Sequence, residues 1–138
     1  MHNELGERLL TRDECQQVLL SSDVGRVVFT SRALPTAFPV SFAIDREDVV
    51  FRTDDGANLV VGAAGTVVAF EVDDLDPATG TGTCVVVTGL ATAVSDADDA
   101  GRIDRLRIGK WSNSASTRYA RIAMSIVVGL RLGPPHLR

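Results

Sequence analysis

Residues 24–53 run VGRVVFTSRALPTAFPVSFAIDREDVVFRT, and the alternation within them decides the fold. Residues 24–31 are rich in β-branched side chains and predict one strand. Residues 35–45 predict a second strand, with Phe38, Val40, Phe42 and Ile44 on one face. Its other face, Ala37, Pro39, Ser41 and Ala43, is small enough for something to lie against it. Residues 48–53 predict a third strand, because Asp45-Arg46-Glu47 has the polarity and length of a hairpin turn. Three successive antiparallel strands form a meander.

The same periodicity extends outward from the meander. Upstream, Thr11-Arg12-Asp13-Glu14 fits a capping box and starts a helix over residues 11–20, with Cys15, Val18 and Leu19 on one core-facing side. Downstream, residues 54–65 predict a loop and a short helix of small residues, residues 66–72 a fourth strand, and residues 73–80 an acidic loop rich in turn formers. Residues 83–94 predict a long fifth strand. Residues 95–108 predict a helix capped by Ser95, with aspartates first and arginines last, as the helix dipole favours. Residues 109–117 form a polar loop holding the only tryptophan, Trp111. Residues 119–132 alternate throughout, placing Ile122, Met124, Ile126, Val128, Leu130 and Leu132 on a single face. Six long strands would expose costly edges unless they closed, so the expected class is mainly β: an antiparallel barrel with flanking helices.

A chain of 138 residues fits one domain, 1–138, that buries roughly two thirds of its unfolded surface, with flexible termini expected at 1–10 and 133–138. Aromatics make up only 5% of the chain, so the core must be built largely from aliphatic residues. The net charge of −4 conceals a segregation: residues 1–100 carry 6 basic and 17 acidic side chains, residues 101–138 carry 8 and 1. All the cations except Lys110 are arginine, and the overall acidity argues against nucleic acid as a partner. No stretch has the length and hydropathy of a signal peptide or membrane span, so no membrane association and a cytoplasmic location are expected. Cys15 and Cys84 lack metal-ligand spacing and are expected as free thiols, with no metal site.

Histidine chemistry is disfavoured because His2 and His136 sit at the two ends, and neither a P-loop nor a GxGxxG follows a strand. The most specific corner is Val49-Val50-Phe51-Arg52-Thr53-Asp54-Asp55-Gly56-Ala57-Asn58-Leu59. There a strand end supplies a guanidinium and a hydroxyl just before a helix start with free amides, which suits an anion. From composition alone, an ordinary ion pair between Arg52 and a neighbouring carboxylate is the favoured reading, because that is the commoner fate of an arginine.

Val24-Gly25-Arg26-Val27-Val28-Phe29-Thr30, Pro39-Val40-Ser41-Phe42, Val50-Phe51-Arg52-Thr53 with Gly56 and Leu59, Val68-Ala69-Phe70-Glu71-Val72-Asp73 and Val87-Thr88-Gly89 occur in that order. Together they resemble the pyridoxamine 5'-phosphate oxidase-like, FMN-binding split-barrel family, in its small actinobacterial branch, over residues 10–132. The resemblance implies a six-stranded split β-barrel and a homodimer with two cofactor sites at its interface. It implies FMN, or alternatively the deazaflavin F420, with Arg52, Thr53, Asn58 and Leu59 near the phosphate. The backbone around Val40, Ser41 and Phe51 would line the ring, and Trp111 would face the partner subunit's flavin. Family members often carry lysine where this chain has Asn58, and Lys110, Arg118 and Arg121 are the candidate replacement cations. Phe38 and Ala43 stand near the arginine and lysine of true pyridoxamine phosphate oxidases, which argues against vitamin B6 as substrate. The implied activity is hydride or electron transfer through the flavin to a small molecule, with Ser41, Thr53 and Arg118 the polar groups nearest the ring and no catalytic side chain singled out. The alternative is a non-catalytic flavin, deazaflavin or haem carrier on the same barrel.

Overall fold

The computed structural model describes residues 8–31, 33–53, 65–109 and 118–133. Their elements are β1 (Arg8–Leu9), α1 (Arg12–Leu20), β2 (Val24–Ser31), β3 (Leu34–Asp45), β4 (Asp48–Arg52), β5 (Val67–Asp76), β6 (Thr81–Ala93), α2 (Ala97–Asp104), β7 (Tyr119–Ile122) and β8 (Ile126–Leu132). All pairings are antiparallel, and the β6–β7 ladder closes the ring β2-β3-β4-β7-β6-β5 into a six-stranded barrel. The meander has the predicted form: Phe42 pairs with Phe51 and Asp45 with Asp48. Val27, Phe29, Val40, Phe42, Phe51 and Phe70 point inward, with the Phe42 and Phe70 rings edge to face at 4.8 Å.

α1 closes one end of the barrel. Its capping box is formed as the sequence requires: the Glu14 amide donates to Thr11 Oγ1 at 3.1 Å and the Thr11 amide to Glu14 Oε1 at 2.9 Å. Arg8 beside Glu14 lowers that carboxyl to about 2. Cys15 and Leu19 are buried beneath the helix, as expected. Residues 8–10, taken from sequence as part of a flexible lead, instead pair with β8 and bury Leu10.

Three boundaries depart from the sequence reading. Asp73, Asp74 and Asp76 lie in β5, paired with Cys84, Thr83 and Thr81, because a continuous ladder outweighs their turn preference. The second helix is shorter than 95–108 and is capped by Asp96, whose Oδ1 accepts from the Asp98 and Asp99 amides at 2.8 and 3.1 Å. Residues 119–132 do not share a single face. Ile122 pairs with Ala91 but Ile126 pairs with Thr88, so residues 123–125 oppose only two residues of β6. This one-residue bulge reverses the facing: Gly129 turns inward, while Ile126 and Val128 are 59% and 47% exposed. Gly89 sits opposite the bulge, where a Cβ would collide with the Ala123 carbonyl. Among the described residues no helix is long and apolar enough to cross a membrane.

Candidate functional site

The outward side of β3, β4 and β7 is largely roofed by α2 and the residues after it. Val50, Ile103, Ile108 and Tyr119 form a second apolar cluster outside the barrel, with Ala43 and Val94 packed against it. Arg107 takes a left-handed φ of 55° and so turns the chain to return Ile108 to that cluster.

The roof is fastened by charge. Asp45, 6% exposed at the end of β3, accepts from Arg102 Nε at 2.9 Å and Arg102 Nη2 at 2.8 Å, and from Arg121 Nη2 at 2.7 Å. Arg121 also donates to Asp48 at 3.1 Å, and Arg102 to Asp99 at 2.8 Å. Hydrogen bonding from Arg102, supported by Arg121, holds the Asp45 carboxyl far below the usual carboxylate range. The Tyr119 hydroxyl donates to Asp104 on α2. Arg121, a candidate phosphate cation from sequence, therefore serves the clamp.

At the open end of this face the structure brings together four of the predicted residues. Arg52 ends β4, pairs in register with Tyr119, places its guanidinium 5.8 Å from the Tyr119 ring centre and donates from Nη1 to the Ile108 carbonyl at 3.4 Å. Thr53 is buried, and its amide donates to the Arg118 carbonyl at 2.9 Å. The Arg118 side chain is exposed. Ser41 lies one residue before Phe42, the first residue of β3 paired with β4, with its hydroxyl beside Gly109. Val40 and Phe51 turn their side chains into the barrel core, so only their main chain faces this corner. Asn58, Leu59, Lys110 and Trp111 lie outside the described residues.

The Arg52 guanidinium and the Ser41 hydroxyl at this strand end, with the exposed Arg118 following in the chain, form a donor set suited to an anionic group. The donor chemistry thus fits a flavin phosphate. Beside the corner, a cavity of about 520 Å³ opens between Leu19 and Leu20 at the end of α1, Ser22 and Asp23 after it, residues 41–44 of β3 and residues 106–109. Among the described residues no three His, Cys, Asp or Glu side chains cluster as metal ligands.

Sequence reasoning missed a second polar cluster, on the opposite outer face. Arg26 on β2 reaches Glu71 at 3.7 Å and Asp73 at 3.8 Å on β5, and Cys84 Sγ on β6 donates to Glu71 Oε2 at 3.5 Å. Burial, then the neighbouring Asp73, raises the Glu71 carboxyl, and burial with the Glu71 contact pushes the Cys84 thiol up to about 11. Cys84 is therefore a protonated thiol at neutral pH, not a nucleophile. The cross-strand order Arg26, Glu71, Val86 follows from the registers and is visible only once strand order is known.

Comparison with known proteins agrees with this geometry. A protein of Mycobacterium tuberculosis without assigned function is 45% identical over 128 residues, covering 89% of this chain and 84% of that protein. The FAD binding protein of Mycobacterium smegmatis superposes with a TM-score of 0.81 at 32% identity, covering 92% of this chain and 99% of that one. A conserved protein of unknown function from Corynebacterium diphtheriae superposes with a TM-score of 0.77 at 27% identity, covering 92% and 98%. The family model for pyridoxamine 5'-phosphate oxidase matches residues 11–132, the whole of the closed barrel. By fold, by the ordered strand motifs and by this match, the chain belongs to the pyridoxamine 5'-phosphate oxidase family of flavin-binding split-barrel proteins.

Proposed function

We propose that this protein is a flavin-dependent oxidoreductase that binds FMN at the Arg52 corner and acts on a small molecule as a homodimer. The observation that carries the reading is the convergence of the Arg52 guanidinium, the Ser41 hydroxyl and the main chain of Arg118 at one end of the barrel. The 32% identity to a protein that binds FAD supports a flavin as the ligand. The flavin, when bound, supplies the hydride or electron chemistry. The chain's residues supply position. Arg52 and Arg118 offer charge-assisted donors to phosphate, and Ser41 offers a hydroxyl. The main chain of β3 and β4 beside them offers a rigid edge for the ring, because Val40 and Phe51 are locked into the core.

The homodimer is supported by the outer face of β2, β5, β6 and β8, which exposes Val28, Val67, Leu90, Ile126 and Val128.

Absorption of the purified protein and titration with FMN, FAD and F420 test the cofactor. FMN should bind at low micromolar concentration, and Arg52→Ala should weaken it by about tenfold or more while shifting the melting of the free protein little. FAD or F420 binding in place of FMN replaces the cofactor assignment; no binding of any of the three removes the oxidoreductase reading.

A further inference from the structure

The guanidinium at the phosphate corner is itself held in place, and the residue that holds it stands outside the donor set. Tyr119 opens β7 directly across from Arg52 at the end of β4, so both side chains leave the sheet on its roofed face. Cross-strand partners of this kind touch, and the Arg52 guanidinium sits 5.8 Å from the Tyr119 ring centre, within cation–π range. The ring is fixed: it is 5% exposed and packed with Val50, Ile103 and Ile108. Its hydroxyl donates to Asp104, the last residue of α2. A carboxylate at a helix C-terminus works against the helix dipole, so the phenol it receives, and not the helix, accounts for Asp104 at that position.

A second hold on Arg52 comes from the same roof. Its Nη1 donates to the Ile108 carbonyl at 3.4 Å, and Ile108 is returned to Tyr119 by the left-handed turn at Arg107. That bond is long and fixes one nitrogen, whereas a ring face bears on the whole guanidinium plane. An arginine whose rotamers are already restricted loses less freedom when an anion arrives. Ring and carbonyl hold the group without formal charge, unlike the carboxylates that neutralise Arg102 and Arg121. We propose that Tyr119 is a positioning residue: its ring, pinned to α2 through Asp104, holds the Arg52 guanidinium in the orientation that receives an anionic group. That the anion is a flavin phosphate rests on the proposed function; the holding of Arg52 does not.

Titration of the full chain with FMN and with riboflavin, which lacks the phosphate, separates positioning from packing. Tyr119→Leu should weaken FMN by about threefold to fivefold and leave riboflavin unchanged, while Tyr119→Phe, which keeps the ring, should bind FMN close to the parent. In an Arg52→Ala background Tyr119→Leu should add nothing further. Leucine fills much of the ring's volume, and Tyr119→Met takes its place should Tyr119→Leu fail to fold. Equal weakening of both ligands, or a full effect of Tyr119→Leu without Arg52, overturns the proposal. A ligand-free NMR measurement keeps the proposal apart from the flavin reading. The Arg52 Nε–H resonance, identified by its loss in Arg52→Ala, should show a heteronuclear NOE as high as the strand amides in the parent and in Tyr119→Phe, and a lower one in Tyr119→Leu. That pattern in a parent that binds no FMN removes only the flavin; a mobile Arg52 in the parent, or one indifferent to Tyr119→Leu, overturns the positioning role.

Discussion

The two outer faces of this barrel handle charge in opposite ways. The face of β3, β4 and β7 is roofed by α2, and its buried carboxylate, Asp45, is met by two arginines at 2.7–2.9 Å. Among the described residues, the face of β2, β5, β6 and β8 carries no helix, leaves its valines and isoleucine in water, and gives two carboxylates a single arginine at 3.7–3.8 Å. One carboxyl is driven down by its partners and the other up by burial and a like charge. Saturated pairing marks a surface already finished within the chain, and deficient pairing within an apolar surround marks one suited to a second copy.

Removing the clamp should have the largest effect. Asp45→Ala leaves Arg102 and Arg121 facing each other with their main counter-charge gone, and should cost about 3 kcal/mol of stability in urea unfolding. Asp45 stays ionised well below the unfolded carboxylate value of 3.8. Its contribution is therefore complete above that value and is lost only in strong acid, so the Asp45→Ala deficit should be constant from pH 5 to 8. A deficit under about 0.5 kcal/mol would remove the distinction between the faces.

On the open face the expected damage is to assembly. Ile126→Asp and Val128→Asp alter exposed side chains, so monomer stability should change by no more than about 0.5 kcal/mol. Dimer dissociation, followed by light scattering during dilution, should become at least about tenfold easier. Unchanged association, or a parent protein that is monomeric, would remove the proposed dimer from this face. Back on the roofed face, Tyr119→Phe deletes one bond to Asp104 and should cost about 1 kcal/mol.

The difference between the faces was only partly legible in the sequence. The meander was legible because small and large residues alternate strictly from Phe38 to Ile44, and Arg52 with Ser41 could be placed from strand motifs. The bulge at residues 123–125 was not: Val127 is as apolar as Ile126 and Val128, so a change of phase leaves no mark on the pattern. Nor was the clamp, since Asp45 and Arg102 stand 57 residues apart and meet only after α2 docks. The segregation of charge along the chain finds a physical role there, because Arg102 and Arg121 from the basic C-terminal part neutralise Asp45, Asp48 and Asp99 from the acidic part.

The smallest expected effect, at Glu71, is the most diagnostic in sign. Its carboxyl binds a proton more tightly in the folded chain than in the unfolded one, where the value is 4.5. Its contribution to stability is therefore complete below 4.5 and declines as pH rises through the raised folded value. Asp45 and Glu14, both lowered, act in the opposite direction but only below the ordinary carboxylate range. Glu71→Gln retains the shape and removes the charge beside Asp73, so it should stabilise the protein at pH 7.5 by about 0.5 kcal/mol and leave it unchanged near pH 4. Association should follow the same sign, since covering the open face favours an uncharged Glu71: the proposed dimer of the parent should be tighter at pH 4.5 than at pH 8, and that of Glu71→Gln equally tight at both. A variant that keeps the parent's pH response would show that Arg26 already neutralises this carboxylate, and that the two faces differ in roofing but not in charge.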